Sequence, residues 1–390
     1  MQDWLEVLRN QAEQRFQSLP LPSGKEENFR FTPLTLPSLG EAKESHLKEA
    51  MGDENSCLVI DQTSAKKIGE SNGIFLDIQK ASVLHPELLR QKWKNDAFAE
   101  DKFSQLIFSR WKNGTYFQLA SGKKEEVLRT HSLVAPGENY YRHLIVLEDG
   151  AEATWIQECS GTEDEAFLGE YVEVQLGKGA KLHWVQLERL GGNTKGIFRQ
   201  KIVAGEGSQL KITPLYVGGS LAQSRWDFQL QQDSEIELFG SARGEGNQHF
   251  DFWMDVHHVG SRSKSAMNFH FVMGGGSKGI FNGLIHIPKT SFDCDASQKS
   301  KSLMLGPKAT VHAIPKLIIQ TDQVKCSHGA SVSSINPEQL HYLRSRGIPA
   351  GEAEKMIVSG FTEPVLERFP VESARGRAEA ALERKLDLYQ

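Results

Sequence analysis

A turn that returns every 26 to 29 residues constrains this chain more than any other feature of its sequence. The signature is a Gly or polar residue, then a small residue, then alternating strand residues. It reads Asp149-Gly150-Ala151, Lys178-Gly179-Ala180, Glu206-Gly207-Ser208 and Gln232-Asp233-Ser234. Pro307-Lys308-Ala309 reads as a later copy, three intervals on, with blurred copies near Gly260–Ala266 and Gly274–Ile280. Between the turns the pattern has period two, as in Tyr171–Leu176, Gln209–Ile212 and Glu235–Leu238, so each piece is a short strand. One such rung cannot bury its own apolar face, but stacked rungs share a core. The spacing predicts a mainly β chain with a parallel β-solenoid core over residues 116–335. A β-sandwich is the competing arrangement, and the regular interval favours the solenoid.

Both flanks read differently. Residues 1–115 form a helical and mixed segment, opening with a helix over 1–19 whose Trp4, Leu8, Ala12 and Phe16 lie on one face. Short strands follow at Cys57–Ile60 and Ile74–Ile78, with helical stretches near Pro86–Trp93 and Ala99–Trp111. Residues 336–390 form a helical tail. Asn336 caps its first helix, Pro337 occupies the first turn and Gly347 stops it. A second helix is predicted from Ala350 to Ser359, ending at Gly360. Thr362 is predicted to cap a third, with Val365, Leu366 and Phe369. The last begins near Ala374 with a stripe of Ala378, Leu382, Leu386 and Tyr389. Solenoid ends need covering, so the tail is expected to cap or flank the β region.

Charge and composition remove whole classes of function. With 45 basic against 50 acidic residues the net charge is −5, which lacks the basic footprint of a nucleic-acid binder. No stretch approaches the ~20 apolar residues of a membrane helix. The start, MQDWLEVLRN, has no apolar signal-peptide core. Cys57, Cys159, Cys294 and Cys326 are far apart and form no CxxC, which fits a reducing compartment, so a cytoplasmic protein is expected. There is no GxxxxGK[ST] loop, GxSxG, HExxH or EF-hand loop. Gly274–Gly279 serves a turn, and no nucleotide binding is expected of this chain.

The most informative segment is Asp322–Ala330. Cys326 and His328 stand at i and i+2, so on a strand they share a face and offer a two-ligand half-site for iron or zinc. Lys325 could lower the thiol pKa. A structural Cys beside a surface His is the plainer alternative. No second ligand pair lies nearby, so any metal centre needs residues from elsewhere or from another chain. Three weaker groups stand out. His257, His286 and His312 fall near the rung interval and could form a column. Asp293-Cys294-Asp295 mixes oxygen and sulfur donors. Asp251, Trp253, Asp255 and His257 alternate along one strand, which reads as a solvated face.

KCSHGA at Lys325–Ala330, followed by NPEQLHYLRSRGIP at Asn336–Pro349, resembles the C-terminal signature of the SufB/SufD family of iron–sulfur cluster assembly scaffolds, on its SufD side. IFNGLIHIPKT (Ile280–Thr290), the stretch Asp295–Ala330 and LPSGKEENFRFTPL (Leu21–Leu34) are similar too, so the resemblance covers nearly the whole chain. It implies a right-handed parallel β-helix between helical termini and a non-enzymatic scaffold role. It also implies pairing with SufB, a SufC ATPase on the C-terminal helices, and a transient iron–sulfur cluster at the SufB–SufD interface. His328 is then a cluster ligand and Cys326 a helper. Leu340, Leu343, Arg344, Arg346, Met356, Ile357 and Phe361 would face the ATPase, and the free chain could form a homodimer. Two rivals remain: a SufB-like scaffold, which would add a sulfur-accepting role, and a β-helix carbohydrate-active enzyme, which would need flanking carboxylates such as Asp251 and Asp255.

Overall fold

The computed structural model describes residues 3–26, 29–42, 57–93 and 100–387. Its centre is a parallel β-solenoid of sixteen strands, from β4 (Asn113–Leu119) to β19 (Val324–Ser334). Successive strands alternate between two sheets, so each strand pairs with the second one after it. One sheet runs through β5 (Lys124–Val134), β7 (Glu152–Gly161), β9 (Lys181–Arg189), β11 (Gln209–Tyr216), β13 (Glu235–Gly244), β15 (Lys264–Met273) and β17 (Cys294–Met304) to β19. The other runs through β6 (Gly137–Leu147), β8 (Ala166–Leu176), β10 (Thr194–Ala204), β12 (Leu221–Leu230), β14 (His249–His258) and β16 (Lys278–Ile287) to β18 (Thr310–Ile319).

The predicted repeat is the rung. Lys124, Glu152, Lys181, Gln209 and Glu235 stand in one register column. At the turn before each, Gly122, Gly150, Gly179 and Gly207 have φ between 64° and 68°, and Asp233, Arg262 and Asp293 take the same left-handed position further along at 57–58°. Each of these residues donates its N–H to a carbonyl of the next turn, as in Gly150 to Lys178 (2.8 Å) and Asp233 to Ser261 (3.0 Å). Gly is preferred where a rung needs that backbone, because a Cβ there is strained. Pro307-Lys308-Ala309 is not a copy of this turn. Ala309 precedes β18 and aligns with Ser277 before β16, so it lies on the opposite edge of the solenoid. The apparent spacing of three intervals came from a second, interleaved series of turns.

Inward residues of the two sheets form one continuous apolar core, in which Trp155 stacks on Trp184 (4.9 Å) and Trp184 meets Trp226 at a tilt (5.2 Å). The N-terminal end of this core is closed. β1 (Cys57–Ile60) adds parallel to β5 and is covered by antiparallel β2 (Ala65–Ile68), while β3 (Ile74–Asp77) adds antiparallel to β4. α1 (Asp3–Ser18) and α4 (Lys102–Arg110) pack over the outer face of the β6–β8–β10 sheet through Leu5, Phe16, Phe103, Leu106, Phe167 and Ile197. α2 (Ile78–Leu84) and α3 (Pro86–Lys92) lie between β3 and α4 in the chain.

The tail has three helices: α5 (Pro337–Ser345), α6 (Ala350–Leu366) and α7 (Glu372–Asp387). Asn336 caps α5 by accepting from the Glu338 N–H (2.8 Å), and Gly347 ends the segment at φ 88°. The predicted break at Gly360 does not occur. A buried stripe of Ala353, Val358, Thr362, Val365 and Leu366 carries α6 through it, and the Thr362 hydroxyl donates back to Val358 O (3.2 Å) instead of capping a new helix. Burial of that stripe outweighs the roughly 1 kcal/mol that one helical Gly costs. α7 follows as expected, although the side chains of Leu386 and Tyr389 lie outside the described residues. The tail flanks the solenoid and leaves its end uncapped. Val365, Leu366, Phe369, Ala374, Ala378 and Leu382 pack on Val185, Leu187 and Leu215 of the outer β9–β11 face, and Val358 with Phe361 on Val272 of β15 and Leu303 of β17.

Candidate metal site on the open rung

β18 and β19 are the final strands of their sheets, and the described residues pair nothing with their outer edges. Burial falls off with them: β17 alternates buried and exposed positions, whereas β19 is exposed along nearly its whole length. The register places Cys326 beside Ala296 and His328 beside Gln298, both buried inward positions of β17. Cys326 and His328 therefore share the inward row, with Cα atoms about 7 Å apart by strand rise, as the i, i+2 spacing predicts. Cys326 is half-buried against the core and His328 is exposed, because no further rung covers it. On the facing strand the inward row is Val311, Ala313, Pro315, Leu317 and Ile319. The mouth of the solenoid is thus apolar with one sulfur and one imidazole donor. Among the described residues no group of three His, Cys, Asp or Glu could hold a metal ion.

The thiol is not activated as expected. Burial pushes the Cys326 pKa up, Cys294 and Asp295 add to the rise, and the Ala296 backbone opposes it. Lys325 is exposed on the other side of the strand, where the alternation of strand side chains puts it. A metal placed there would have to displace the proton of the Cys326 thiol.

The weaker candidates divide. His257 and His286 are register partners on an outer face, with rings 5.8 Å apart, and His257 lies 3.6 Å from Asp227. His312 pairs with Ile280 and stacks on Phe31 (4.4 Å), so the three-histidine column does not form. Asp293 is a left-handed turn residue, Cys294 points into the core and Asp295 is exposed, so they do not converge. The Asp251 strand face is not solvated. Asp251 and Trp253 are buried beneath the segment carrying Phe31 and Thr32, which is fastened by Thr32 to His249 (3.0 Å) and by Lys278 to Phe31 O (2.9 Å). Burial pushes the Asp251 pKa up to about 7, and Asp255 is engaged by Arg225 (3.4 Å), so the two do not flank an open groove.

Sequence reasoning passed over a polar cluster inside the solenoid. His143 contacts Glu170 (3.1 Å), Gln157 donates to the same carboxylate (2.9 Å), and Gln186 donates to Glu188 (3.0 Å). Burial, then the Glu170 charge, raises the Glu188 pKa, and burial followed by Glu188 raises that of Cys159. Glu170 stands in the same strand row as the core residues Leu168, Val172 and Val174, and Gln186 and Glu188 in the row of Leu182 and Trp184, which is the signal that would have placed them inward once the register was known.

Of the residues expected to face an ATPase, Leu340, Leu343 and Ile357 are half-buried and Arg344, Arg346 and Met356 exposed. α5 buries no residue at all, and Tyr342 beside them is 61% exposed. Phe361 instead turns onto the solenoid, with its ring 4.9 Å from that of His270.

A family profile described as "SUF system FeS cluster assembly, SufBD core domain" matches residues 131–361, more than half of the chain. The chain belongs to the SufBD family. It is 27% identical to the iron–sulfur cluster assembly protein SufD of Bacillus subtilis (strain 168), covering 98% of this chain and 94% of that protein. It is 26% identical to SufD of Escherichia coli (strain K12), over 96% and 92%. With SufB of Bacillus subtilis it is 25% identical over 78% of this chain and 67% of that one, so likeness to the SufD proteins runs over more of the chain. The family role is iron–sulfur cluster assembly, and the mainly β solenoid with helices at both ends is the fold anticipated from the turn spacing.

Proposed function

We propose that this chain is a SufD-type, non-catalytic scaffold subunit that pairs through its open β18–β19 rung with a SufB-type subunit. The observation that carries this reading is an uncovered terminal rung whose inward row holds two metal donors, Cys326 and His328, and no third. An edge strand is a ready template for another chain, and a monomeric protein would ordinarily blunt it. Closing it with a partner rung would bury Val332, now 52% exposed, and would bring the missing ligands to His328 and Cys326. The cluster is cargo built at that junction, with His328 a ligand and Cys326 a helper.

The segments divide the work at 1–115, 116–335 and 336–390. The first closes the solenoid, the second carries the interface, and the third presents Leu340, Leu343, Arg344, Arg346, Met356 and Ile357 to a SufC-type ATPase. Movement of that ATPase would strain the paired scaffold and open the junction to iron and sulfide. This chain binds no nucleotide and works in the cytoplasm. Without its partner it self-associates through the same edge.

Two experiments test the reading. The tagged chain is expressed with SufB- and SufC-type subunits; recovery of neither on purification overturns the scaffold role. His328→Ala and Cys326→Ala are then introduced in cells that depend on this pathway. Loss of cluster supply is expected for His328→Ala and a partial loss for Cys326→Ala; normal supply in both removes the donor assignment and leaves the scaffold role standing.

A further inference from the structure

A cleft between α1, α4 and the end of α3 has a composition that its assembly role does not use. Its volume is about 200 Å³, and Arg9, Arg15, Arg142, Trp93, Trp111 and Phe108 line it. No carboxylate among the described residues does so. Three other clefts carry acids: Glu41 and Glu138 in one, Glu363, Glu379 and Glu383 in a second, Glu237 and Glu367 in a third. Cationic walls with no acid among them, in a protein whose net charge is −5, are a local inversion of sign.

The donors are only partly used. The Arg9 guanidinium lies over Trp111 (4.5 Å) and donates to Trp111 O (3.0 Å), but its Nε is buried with no acceptor. The Trp93 indole Nε1 is likewise buried, and among the described residues neither nitrogen has a partner. A buried donor without an acceptor is costly, so an acceptor placed here is rewarded. Burial lowers the Arg9 pKa, with Glu6 opposing, which is the direction expected of a guanidinium short of anions. Arg142 forms a second charged wall, stacked on Trp93 (3.9 Å) and Phe108 (4.5 Å). Guanidinium forks suit planar oxyanions, and aromatic walls suit a flat apolar body.

We propose that this cleft binds a small organic carboxylate with a flat apolar body, of about ten non-hydrogen atoms as its volume allows. The carboxylate accepts from Arg9 and Arg15 at one end, and the ring lies among Trp93, Trp111 and Phe108. The site is independent of the open rung, and nothing in it calls on the partner subunits.

The probe is benzoate, with benzyl alcohol as its neutral counterpart and inorganic phosphate as the bare anion. The full chain is labelled at its tryptophan indole nitrogens, and the Trp93 and Trp111 signals are identified with Trp93→Phe and Trp111→Phe. Benzoate is expected to shift both signals saturably and to raise the melting temperature. Benzyl alcohol and phosphate should each bind at least tenfold more weakly. The Arg9→Gln/Arg15→Gln variant should lose at least tenfold in benzoate affinity with an unchanged circular dichroism spectrum. Three results overturn the proposal: no saturable benzoate shift up to 10 mM (about the weakest binding a cleft this size would make useful), equal binding of benzyl alcohol or phosphate, or undiminished binding by a folded double variant.

Discussion

The two ends of the solenoid are built from the same kind of rung and finished in opposite ways. At the N-terminal end, Leu58, Val59 and Ile60 are at most 1% exposed, because antiparallel β2 and β3 seal the first rungs and helices cover their outer face. At the C-terminal end, β19 continues the parallel stack and stops, with its inward row at the surface. A reversed strand ends a parallel ladder, since it presents a different hydrogen-bond pattern to whatever would come next. A ladder that stops without one keeps a usable template. The difference separates a surface closed within the chain from one that stays open among the described residues.

Truncating the core tests the closed end most severely. Leu58→Ala should cost about 2–5 kcal/mol by chemical unfolding, whereas Leu317→Ala, half-buried at the open end, should cost about 1 kcal/mol. Equal costs would mean that the open rung is covered in the isolated chain.

The segment at Phe31 and Thr32 links the two ends, and its grip is read by pH. Asp251 has a folded pKa of about 7, above its ordinary 3.8, so its contribution to stability is complete below about pH 4 and is lost as pH rises to 7. His249 runs the other way. Burial, Lys278 and His312 lower it to about 4, so its contribution is present above about pH 6.5 and lost as pH falls to 4. The two slopes oppose each other. Asp251→Asn should make stability rise with pH between 4 and 6.5, by up to about 1.4 kcal/mol per unit relative to the parent. An unchanged pH profile would show that the segment does not bury Asp251 in solution.

At the open edge, Val332→Lys should weaken association with a SufB-type partner, or with a second copy, at least tenfold, or about 1.4 kcal/mol. The isolated chain should lose less than about 0.5 kcal/mol, because Val332 is exposed there. Undiminished pairing on analytical ultracentrifugation moves the interface elsewhere. The smallest effect on the chain itself belongs to Tyr342→Ala on α5: stability within about 0.5 kcal/mol of the parent, with several-fold weaker capture of a SufC-type ATPase.

Much of this architecture was legible in the residues. The turn at Gly150, Gly179 and Gly207 announced itself because a left-handed backbone demands Gly, and a small residue after it demands Ala or Ser. The cap at Asn336 and the shared face of Cys326 and His328 were equally local, set by a few bonds of backbone geometry. What misled was also local evidence. Gly360 and Thr362 look like a helix end until the buried face of α6 is known, and Asp251 looks solvated until a segment some 220 residues away in sequence is laid over it. Ala309 carried the right residues on the wrong edge, because two series of turns share one interval.

By itself the sequence determined the rung: its length, its turns, its period-two strands and the shared row of Cys326 and His328 on the last of them. Only the tertiary structure decided which faces are covered, that one end is closed and the other open, that the helical tail lies along the side, and that charged and polar groups meet inside the solenoid. The reason is physical. Backbone geometry is fixed by neighbours in the chain, whereas burial depends on segments brought together from far apart, and burial determines both the free energy of a contact and the protonation of an acid.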